Sequence, residues 1–397
     1  MASFFPQTQA EHIAIMAISG DPSDRIVVGH MIYAFTVGGE ERELLNIIRY
    51  GNKERFLHVI VSFTEVGAFG EEAQRLGFRV LSLNKKMGND FSLPFRIAKL
   101  ISMYGVRVIH ARGWATLVEA ALASRLSRVR GSIYAFHGRT YDDLQGRSIK
   151  RQLLQSLFVR AYDRIVTLNS LMKREFSREC RLSEDKIDVI ANGIELDRFS
   201  PSSNRSALRE AHGIPLDRFV IGNVGRLDPV KNHETLLRAV YGLKQRGRRP
   251  YLIIVGEGPS RAALESLIAS LGLADDVRLS GFSKRIPELL NCMDLYVQSS
   301  LYEGSSHTLV EAMACGLPVV ATDVGGTADL FEDGREGFRF KPRDENALLE
   351  LIAKIQDDPQ LRRTMGYHAR DRALKLFSVE MMVKRYEQIY HELATLR

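Results

Sequence analysis

Two glutamates eight residues apart, Glu303 and Glu311, stand in the densest chemical stretch of the sequence, SSLYEGSSHTLVEAMACGLPVVATDVGG at 299–326. Glu303 follows an apolar, strand-like run; Gly304, Ser305 and Ser306 read as a tight turn; a helix is expected near Thr308, with Glu311 in its first turn. A helix start exposes unpaired N–H groups and the positive end of the macrodipole, so it attracts phosphate. A carboxylate there suits the dipole but repels a phosphate placed against it, so Glu311 is better fitted to accept hydrogen bonds from ribose hydroxyls. Glu303, at the mouth of the turn, can accept from sugar hydroxyls or stabilise a developing positive charge. Taken alone, such a pair is more often a helix-start carboxylate and a surface residue.

The upstream phrase GNVGRLDPVKNHETLL, residues 222–237, changes that weighting. Arg226 is expected at the carboxyl end of the strand VIGNV, and Lys231 is expected to open the next helix. A guanidinium fork and an ammonium point charge on one strand-to-helix turn suit a diphosphate. A departing diphosphate gains negative charge, so these cations would favour the transition state over the ground state.

Two further positions are weaker signals. In FTVGGEERELLNII, Gly38 and Gly39 allow close backbone approach to a ligand at a helix N-terminus, although a plain tight turn explains them equally. The phrase is not G-x-G-x-x-G, which leaves a dinucleotide reading unsupported. His137, in IYAFHGRT, ends a strand where a ligand cleft is expected; its imidazole could bond a donor hydroxyl or accept a proton from the acceptor. His110, at the end of VRVIH, has the same topology and reads as structural more often than not.

The elements that must position these residues alternate almost from end to end. RIVVGHMIY, FLHVIVSF, FRVLSL, VRVIHA, GSIYAFHG, YDRIVTL and IDVIA read as buried strands, with helical stretches such as GEERELLNIIRYGN and PFRIAKLISMYG between them. An Asn-, Ser-, Pro- and Gly-rich segment at 191–218 reads as a connection. After it come RFVIGNVG, RPYLIIVG, DDVRLSG, MDLYVQSS, LPVVATD and EGFRFKP. The expected class is therefore α/β, with two Rossmann-like doubly wound domains facing a cleft. The expected limits are 1–24 for a leader or irregular segment, 25–198 and 199–375 for the two domains, and 376–397 for a tail helix.

At 397 residues, 45% hydrophobic and 26% charged, the chain has the composition of a soluble globular protein of two domains. Three scattered cysteines (Cys180, Cys292, Cys315) show neither disulfide nor metal-ligand spacing, which fits a reducing cytoplasm. The net charge of +7 is concentrated before residue 199, where 28 Lys and Arg face 22 Asp and Glu. No basic stripe interleaved with aromatics is present, so no nucleic-acid partner is expected. An anionic membrane surface or lipid-linked acceptor fits the basic half better, and a merely solvated basic surface fits as well. The stretch GRSIKRQLLQSLFVRAYDR, residues 146–164, repeats apolar residues at helical spacing among basic ones. It reads as a basic-rimmed core helix or, as the minority reading, a peripheral membrane helix.

Together these phrases resemble the retaining glycosyltransferases of GT-B fold, of the group-1 or glycogen-synthase-like type, over residues 26 to about 390. The resemblance is carried by the GG loop at 38–39, NGIELDRF at 192–199, GRLDPVKN at 225–232, LIIVGEGP at 252–259 and VRLSGF at 277–282. The E-x7-E phrase with its trailing EAMACGLPVVAT and a tail helix completes it. It implies that Arg226 and Lys231 bind the donor diphosphate, helped by the backbone at Gly39 and by amides after Gly304, namely Ser305, Ser306, His307 and Thr308. It places the ribose on Glu311, the transferred sugar and its oxocarbenium-like state on Glu303, and His137 near the reacting carbon. Phe282 and Ser283 would lie near the base, and the tail helix would cross back onto the first domain. No bound metal is expected, because the two cations supply the positive charge. Retention in such enzymes is attributed to attack on the face the diphosphate leaves, with that phosphate as the base.

The expected donor is a nucleotide diphosphate sugar, UDP ahead of GDP, carrying a hexosyl or N-acetylhexosaminyl group. The expected acceptor is a glycan or lipid-linked molecule in polysaccharide or glycolipid synthesis, met in the cytoplasm or at the inner face of its membrane. Two departures stand out: His307 in the turn GSSHT, which would tune donor choice, and Arg112 where the family's H-x-H phrase has a second histidine. The chief alternative is a non-catalytic nucleotide-sugar-binding protein on the same fold. A phosphorylase would need a pyridoxal-lysine motif, and an oxidoreductase a glycine fingerprint; neither is seen.

Overall fold

The computed structural model of the protein describes residues 25–36, 38–138 and 149–395. The segment 1–24 expected to be a leader lies outside the described residues, as do residues 146–148 of the basic stretch.

Among the described residues thirteen strands form two sheets, and all the strand pairs in register are parallel. The first contains β1 (Ile26–Ile32), β2 (Phe56–Ser62), β3 (Arg79–Ser82), β4 (Val108–Arg112), β5 (Gly131–Phe136), β6 (Arg164–Thr167) and β7 (Ile187–Val189), in the order β3-β2-β1-β4-β5-β6-β7. The second contains β8 (Val220–Val224), β9 (Tyr251–Val255), β10 (Val277–Leu279), β11 (Leu295–Gln298), β12 (Val319–Thr322) and β13 (Gly337–Phe340), in the order β10-β9-β8-β11-β12-β13. These are the thirteen apolar runs read from the sequence, joined by helices in the doubly wound manner. Alternate residues explain why the inner strands are apolar on both faces. In the second sheet, Val220, Ile253, Tyr296 and Val319 enter one core, while Ile221, Leu252, Leu295 and Val320 enter another on the opposite face.

The chain forms two compact units. One gathers residues up to Ala135, then Ala161–Asp163 and the chain from Tyr386 on; the other gathers Phe136–Arg160 and Arg164–Arg385. The second unit thus begins earlier in the sequence than residue 199. The 191–218 segment, read as a connection, contains a helix at Arg205–His212 whose start is capped by Asn204, the side chain accepting from Ala207 N.

The first unit encloses a polar cluster that no single stretch of sequence announces. His30, His58, His110, Arg112 and Glu43 are all buried, together with Tyr386 and Tyr390 of the helix Val379–Thr395. Arg112 Nη1 donates to His30 Nδ1 (3.0 Å), and His30 Nε2 lies 2.8 Å from His58 Nδ1. A guanidinium can only donate, so His30 accepts at Nδ1 and carries its proton on Nε2, from which it donates to His58. Burial, then Arg112, His58 and His110, hold the His30 pKa well below the ordinary histidine value. Burial, then Arg112 and Lys53, push His58 down to about 3. Tyr386 donates to Glu43 Oε1 (2.7 Å), and the Tyr390 hydroxyl lies 2.8 Å from His110 Nδ1.

Candidate functional site

β8 and β11 are sequence-distant but adjacent in the second sheet, with β9 and β10 on one side and β12 and β13 on the other. Their carboxyl ends therefore flank the topological switch point, where the two outgoing loops diverge and leave a crevice. The loop after β8 carries Arg226 and Lys231; the loop after β11 carries Glu303.

The first loop is shaped by Asp228. Its side chain accepts from Val230 N (3.1 Å) and Lys231 N (3.3 Å), capping a single 3-10 turn at Pro229–Lys231, and also from Arg226 Nε (2.7 Å). Lys231 accordingly closes a 3-10 turn and does not open the following helix. That helix is His233–Gln245, and it starts after Asn232 takes up a left-handed conformation at φ 48°. Pro229 favours the tight turn, and Asp228 satisfies its free N–H groups at once. Arg226 remains 73% exposed at the loop's rim. Beneath the loop, His233 Nε2 lies 3.0 Å from Asn223 Oδ1, and burial, followed by Lys231, lowers its pKa to about 4.

The second loop is held from several sides. Glu303 is buried, and its Oε1 accepts from Ser300 Oγ (2.6 Å) and Lys231 Nζ (2.5 Å). The Lys231–Glu303 ion pair thus joins the two sequence phrases directly. Gly325, at φ 52°, packs so closely on the turn that a Cβ would fall 1.8 Å from Glu303 O, and Gly326 N donates to that same oxygen (3.1 Å). Asn169 Nδ2 donates to Gly304 O (2.6 Å), while Asn169 Oδ1 caps the helix Ser170–Cys180.

The helix after this turn is His307–Ala314. Ser306 is its N-cap and accepts from Leu309 N (3.3 Å), so the helix begins one residue before the expected Thr308. Glu311 is consequently in the second turn, buried, and not in the first turn as expected. The helix dipole favours its charge less there, because that field fades after the first turn. Thr308 Oγ1 lies 2.7 Å from the Tyr296 hydroxyl and 3.3 Å from Ser306 Oγ. Burial raises the Tyr296 pKa, and both Glu303 and Glu311 add to the rise, so the two carboxylates act on one buried neighbourhood. Cys315, beyond the helix, is buried; burial and then Glu311 push its thiol up to about 12, which leaves it inert.

The other residues read from the sequence fall at several places. His137 directly follows β5, and a Cβ on Gly304 would lie 3.2 Å from His137 O, so the histidine's backbone abuts the Glu303 turn. Phe282 follows β10 and is 70% exposed, and Ser283 Oγ accepts from Arg285 N (3.0 Å). Ser305 lies in the turn before Ser306. Gly39 begins the helix Gly39–Tyr50 in the first unit, with Glu40 and Glu41 in its first turn. His110 is bound into the buried cluster and belongs to the core. Among the described residues, no group of three or more His, Cys, Asp or Glu is arranged to hold a metal ion.

Sequence reasoning misses four positions that shape the site: Asp228, Ser300, Asn169 and Gly325. Asp before Pro is a turn-start signal and could have been read as a cap. The Gly-Gly of TDVGG could have been read as a close approach. Asn169 reads locally only as an N-cap, and its bond to Gly304, like the partner of Ser300, is set by the fold.

Residues 204–372 match the family model described as glycosyl transferases group 1, and residues 37–198 match that of glycosyltransferase family 4. A Bacillus subtilis protein named as the glycosyltransferase EpsD is 30% identical over 308 residues, which cover 74% of this chain and 79% of the relative. The Escherichia coli UDP-Gal:alpha-D-GlcNAc-diphosphoundecaprenol alpha-1,3-galactosyltransferase is 26% identical over 318 residues, 79% of this chain and 81% of that one. Among solved structures, Anabaena Alr3699/HepE in complex with UDP and glucose superposes with a TM-score of 0.80 at 25% identity, covering 93% of this chain and 99% of that one.

Proposed function

Because the chain belongs to the group-1 glycosyltransferases, of GT-B fold, we propose that it is a retaining enzyme moving a hexosyl or N-acetylhexosaminyl group from a nucleotide diphosphate sugar, UDP ahead of GDP. The acceptor is a glycan or a lipid-linked molecule in polysaccharide or glycolipid synthesis. The observation that carries this reading is the Lys231–Glu303 pair at the switch point, with Arg226 on the same loop. It sets positive charge for a diphosphate beside a carboxylate for the sugar. The E. coli relative named above acts from a UDP-sugar on a diphosphoundecaprenol acceptor, and the Anabaena structure holds UDP and glucose; both support the substrate classes.

In this reading Lys231 and Arg226 contact the diphosphate, and their attraction grows as the glycosidic bond breaks and charge moves onto the leaving group. Lys231 is shared with Glu303, which ties the position of the phosphate to that of the sugar. Glu303 stabilises the oxocarbenium-like carbon, His137 contacts the donor sugar, and Glu311 holds the ribose. The N–H groups of Ser305, Ser306, His307 and Thr308 at the helix start, and the backbone of Gly39, assist the phosphates. Phe282 offers a stacking face for the base, with Ser283 beside it. The two cations supply the charge a metal would otherwise bring. The reading assigns donor binding to residues 199–375 and acceptor binding to 25–198, in the cytoplasm with peripheral contact at an anionic membrane.

The test is a hydrolysis screen of UDP- and GDP-sugars without acceptor, followed by NMR of the anomer formed with a trapped acceptor. Slow release of one nucleoside diphosphate and an anomer matching the donor are expected. Tight donor binding with no release under any condition would leave a binding protein instead, and an inverted anomer would remove the retaining assignment.

A further inference from the structure

The helix Ile149–Phe158 is built inside out. Its buried residue is Gln155, whereas Ile149, Leu153, Leu154 and Leu157 are 74%, 65%, 42% and 62% exposed. At 100° per residue these four apolar side chains occupy one arc, with exposed Lys150 inside it. The polar side is the one that docks. Ser156 Oγ donates to Glu179 O (3.4 Å) and Arg160 Nη2 to Cys180 O (3.0 Å), both acceptors at the end of the helix Ser170–Cys180. That neighbour exposes Arg174 and Arg178, with Arg181 just beyond. Residues 149–181 contain eight Lys and Arg against three Asp and Glu.

Four exposed large aliphatic side chains on one short helix are too many to be left in water without a reason. A core-facing explanation fails, because the side turned to the protein is the polar one. The local charge selects the occupant: an apolar arc with Lys150 inside it, in a stretch with an excess of Lys and Arg, fits the boundary between anionic headgroups and acyl chains. No helix among the described residues is long and apolar enough to cross a membrane, so the contact is made from the surface.

We propose that Ile149–Phe158 is an interfacial helix that seats the protein on an anionic lipid bilayer, with Ile149, Leu153, Leu154 and Leu157 inserted and the adjacent arginines on the headgroups. It gives a physical site to the membrane contact included in the functional reading, yet its test reads binding and not catalysis. The full chain is floated with vesicles of phosphatidylcholine alone or phosphatidylcholine with phosphatidylglycerol. The wild-type protein is expected to float only with the anionic vesicles and to be released by high salt. Leu153→Ser with Leu157→Ser is expected to lower partitioning by about tenfold per leucine, and Lys150→Glu to lower it further, with unchanged circular dichroism and unchanged donor hydrolysis. Wild-type protein that ignores anionic vesicles at low salt overturns the proposal. So does a double-leucine variant that floats like wild type. If light scattering finds two chains per particle for wild type and one for the leucine variant, without vesicle binding, the proposal fails and the face belongs to a second copy.

Discussion

Lowering the pH from 7 to 5 should unfold the first unit far more readily, and His58 should account for a defined share of the loss. In the folded unit His58 Nδ1 lies against His30 Nε2, and His30 Nδ1 against Arg112 Nη1. A second proton on either ring would place donor against donor inside a buried cluster. His58 accordingly titrates at about 3 when folded, against 6.5 for an ordinary histidine. The unfolded chain therefore binds the proton first, and stability falls as pH drops below 6.5, continuing down to about 3. Between pH 7 and 5 the loss is about 2 kcal/mol for His58, at 1.36 kcal/mol per pH unit once the unfolded ring is charged. His30, lowered by the same surroundings, adds a loss in the same direction.

The chain's one tryptophan, Trp114, begins the helix Trp114–Ser127 in the first unit, two residues after Arg112. Its emission during urea unfolding therefore follows this unit. The control is His58→Asn, in which the introduced amide oxygen can accept from His30 Nε2 in place of the imidazole nitrogen. This variant should lose about 2 kcal/mol less than wild type over the same pH interval, because burial and Arg112, the two largest causes, still hold His30 down in both proteins. Equal losses in the two proteins would refute the reasoning, whatever the absolute stabilities.

Other expected outcomes follow from the second unit and the tail. Arg226→Ala and Lys231→Ala should each weaken donor binding by about 1.5–3 kcal/mol in calorimetry, since each removes a charged donor from the phosphates; unchanged affinity in both would remove the cations from the site. Glu303→Gln should cut turnover while leaving donor affinity close to wild type, and wild-type turnover would exclude Glu303 from the mechanism. Gly325→Ala, forcing a Cβ against Glu303 O at a left-handed φ, should cost roughly 1–3 kcal/mol and depress activity through the displaced turn, read by thermal melting beside kinetics. Tyr386→Phe removes the hydroxyl that donates to buried Glu43 and should cost about 1–3 kcal/mol, seen as a lower urea midpoint by Trp114 emission.

How much of this is legible in the sequence depends on the range of the interactions concerned. The inner strands are the most visible, because the sheet is buried on both faces there and they read as nearly continuous apolar runs, whereas edge strands such as Val277–Leu279 and Gly337–Phe340 include a charged residue. Helix starts are less visible. The sequence reading puts Glu311 one position too early in the helix, in the first turn and not the second, because Ser306, and not a later residue, supplies the cap, and it puts Lys231 in a helix that the capping by Asp228 delays. Both errors concern one side chain choosing between neighbouring backbone donors, a choice worth about 1 kcal/mol. The buried histidine cluster is illegible for another reason: its members come from β1, β2, β4, the helix Gly39–Tyr50 and the last helix, and each alone looks like an ordinary strand or helix residue.

The candidate site shows how a distant pair of phrases becomes chemistry. Nothing local requires Lys231 and Glu303 to meet; they meet because β8 and β11 are neighbours in the strand order and both loops leave at their carboxyl ends. The order itself arises from parallel connections that wind outward from β8 and then restart at β11. Side-chain choice at the turn works within that frame. Glu303 can be buried only because Lys231 and Ser300 satisfy the same oxygen, and a buried carboxylate without such partners would cost several kcal/mol. Removing Lys231 would therefore act twice, on the proposed phosphate contact and on the buried carboxylate, whereas removing exposed Arg226 takes from Asp228 only one solvent-exposed partner, and Val230 N and Lys231 N still donate to that carboxylate. A Lys231 variant should accordingly lose clearly more thermal stability than the Arg226 variant, while both lose donor affinity, and equal stability of the two would show that Glu303 does not depend on the lysine.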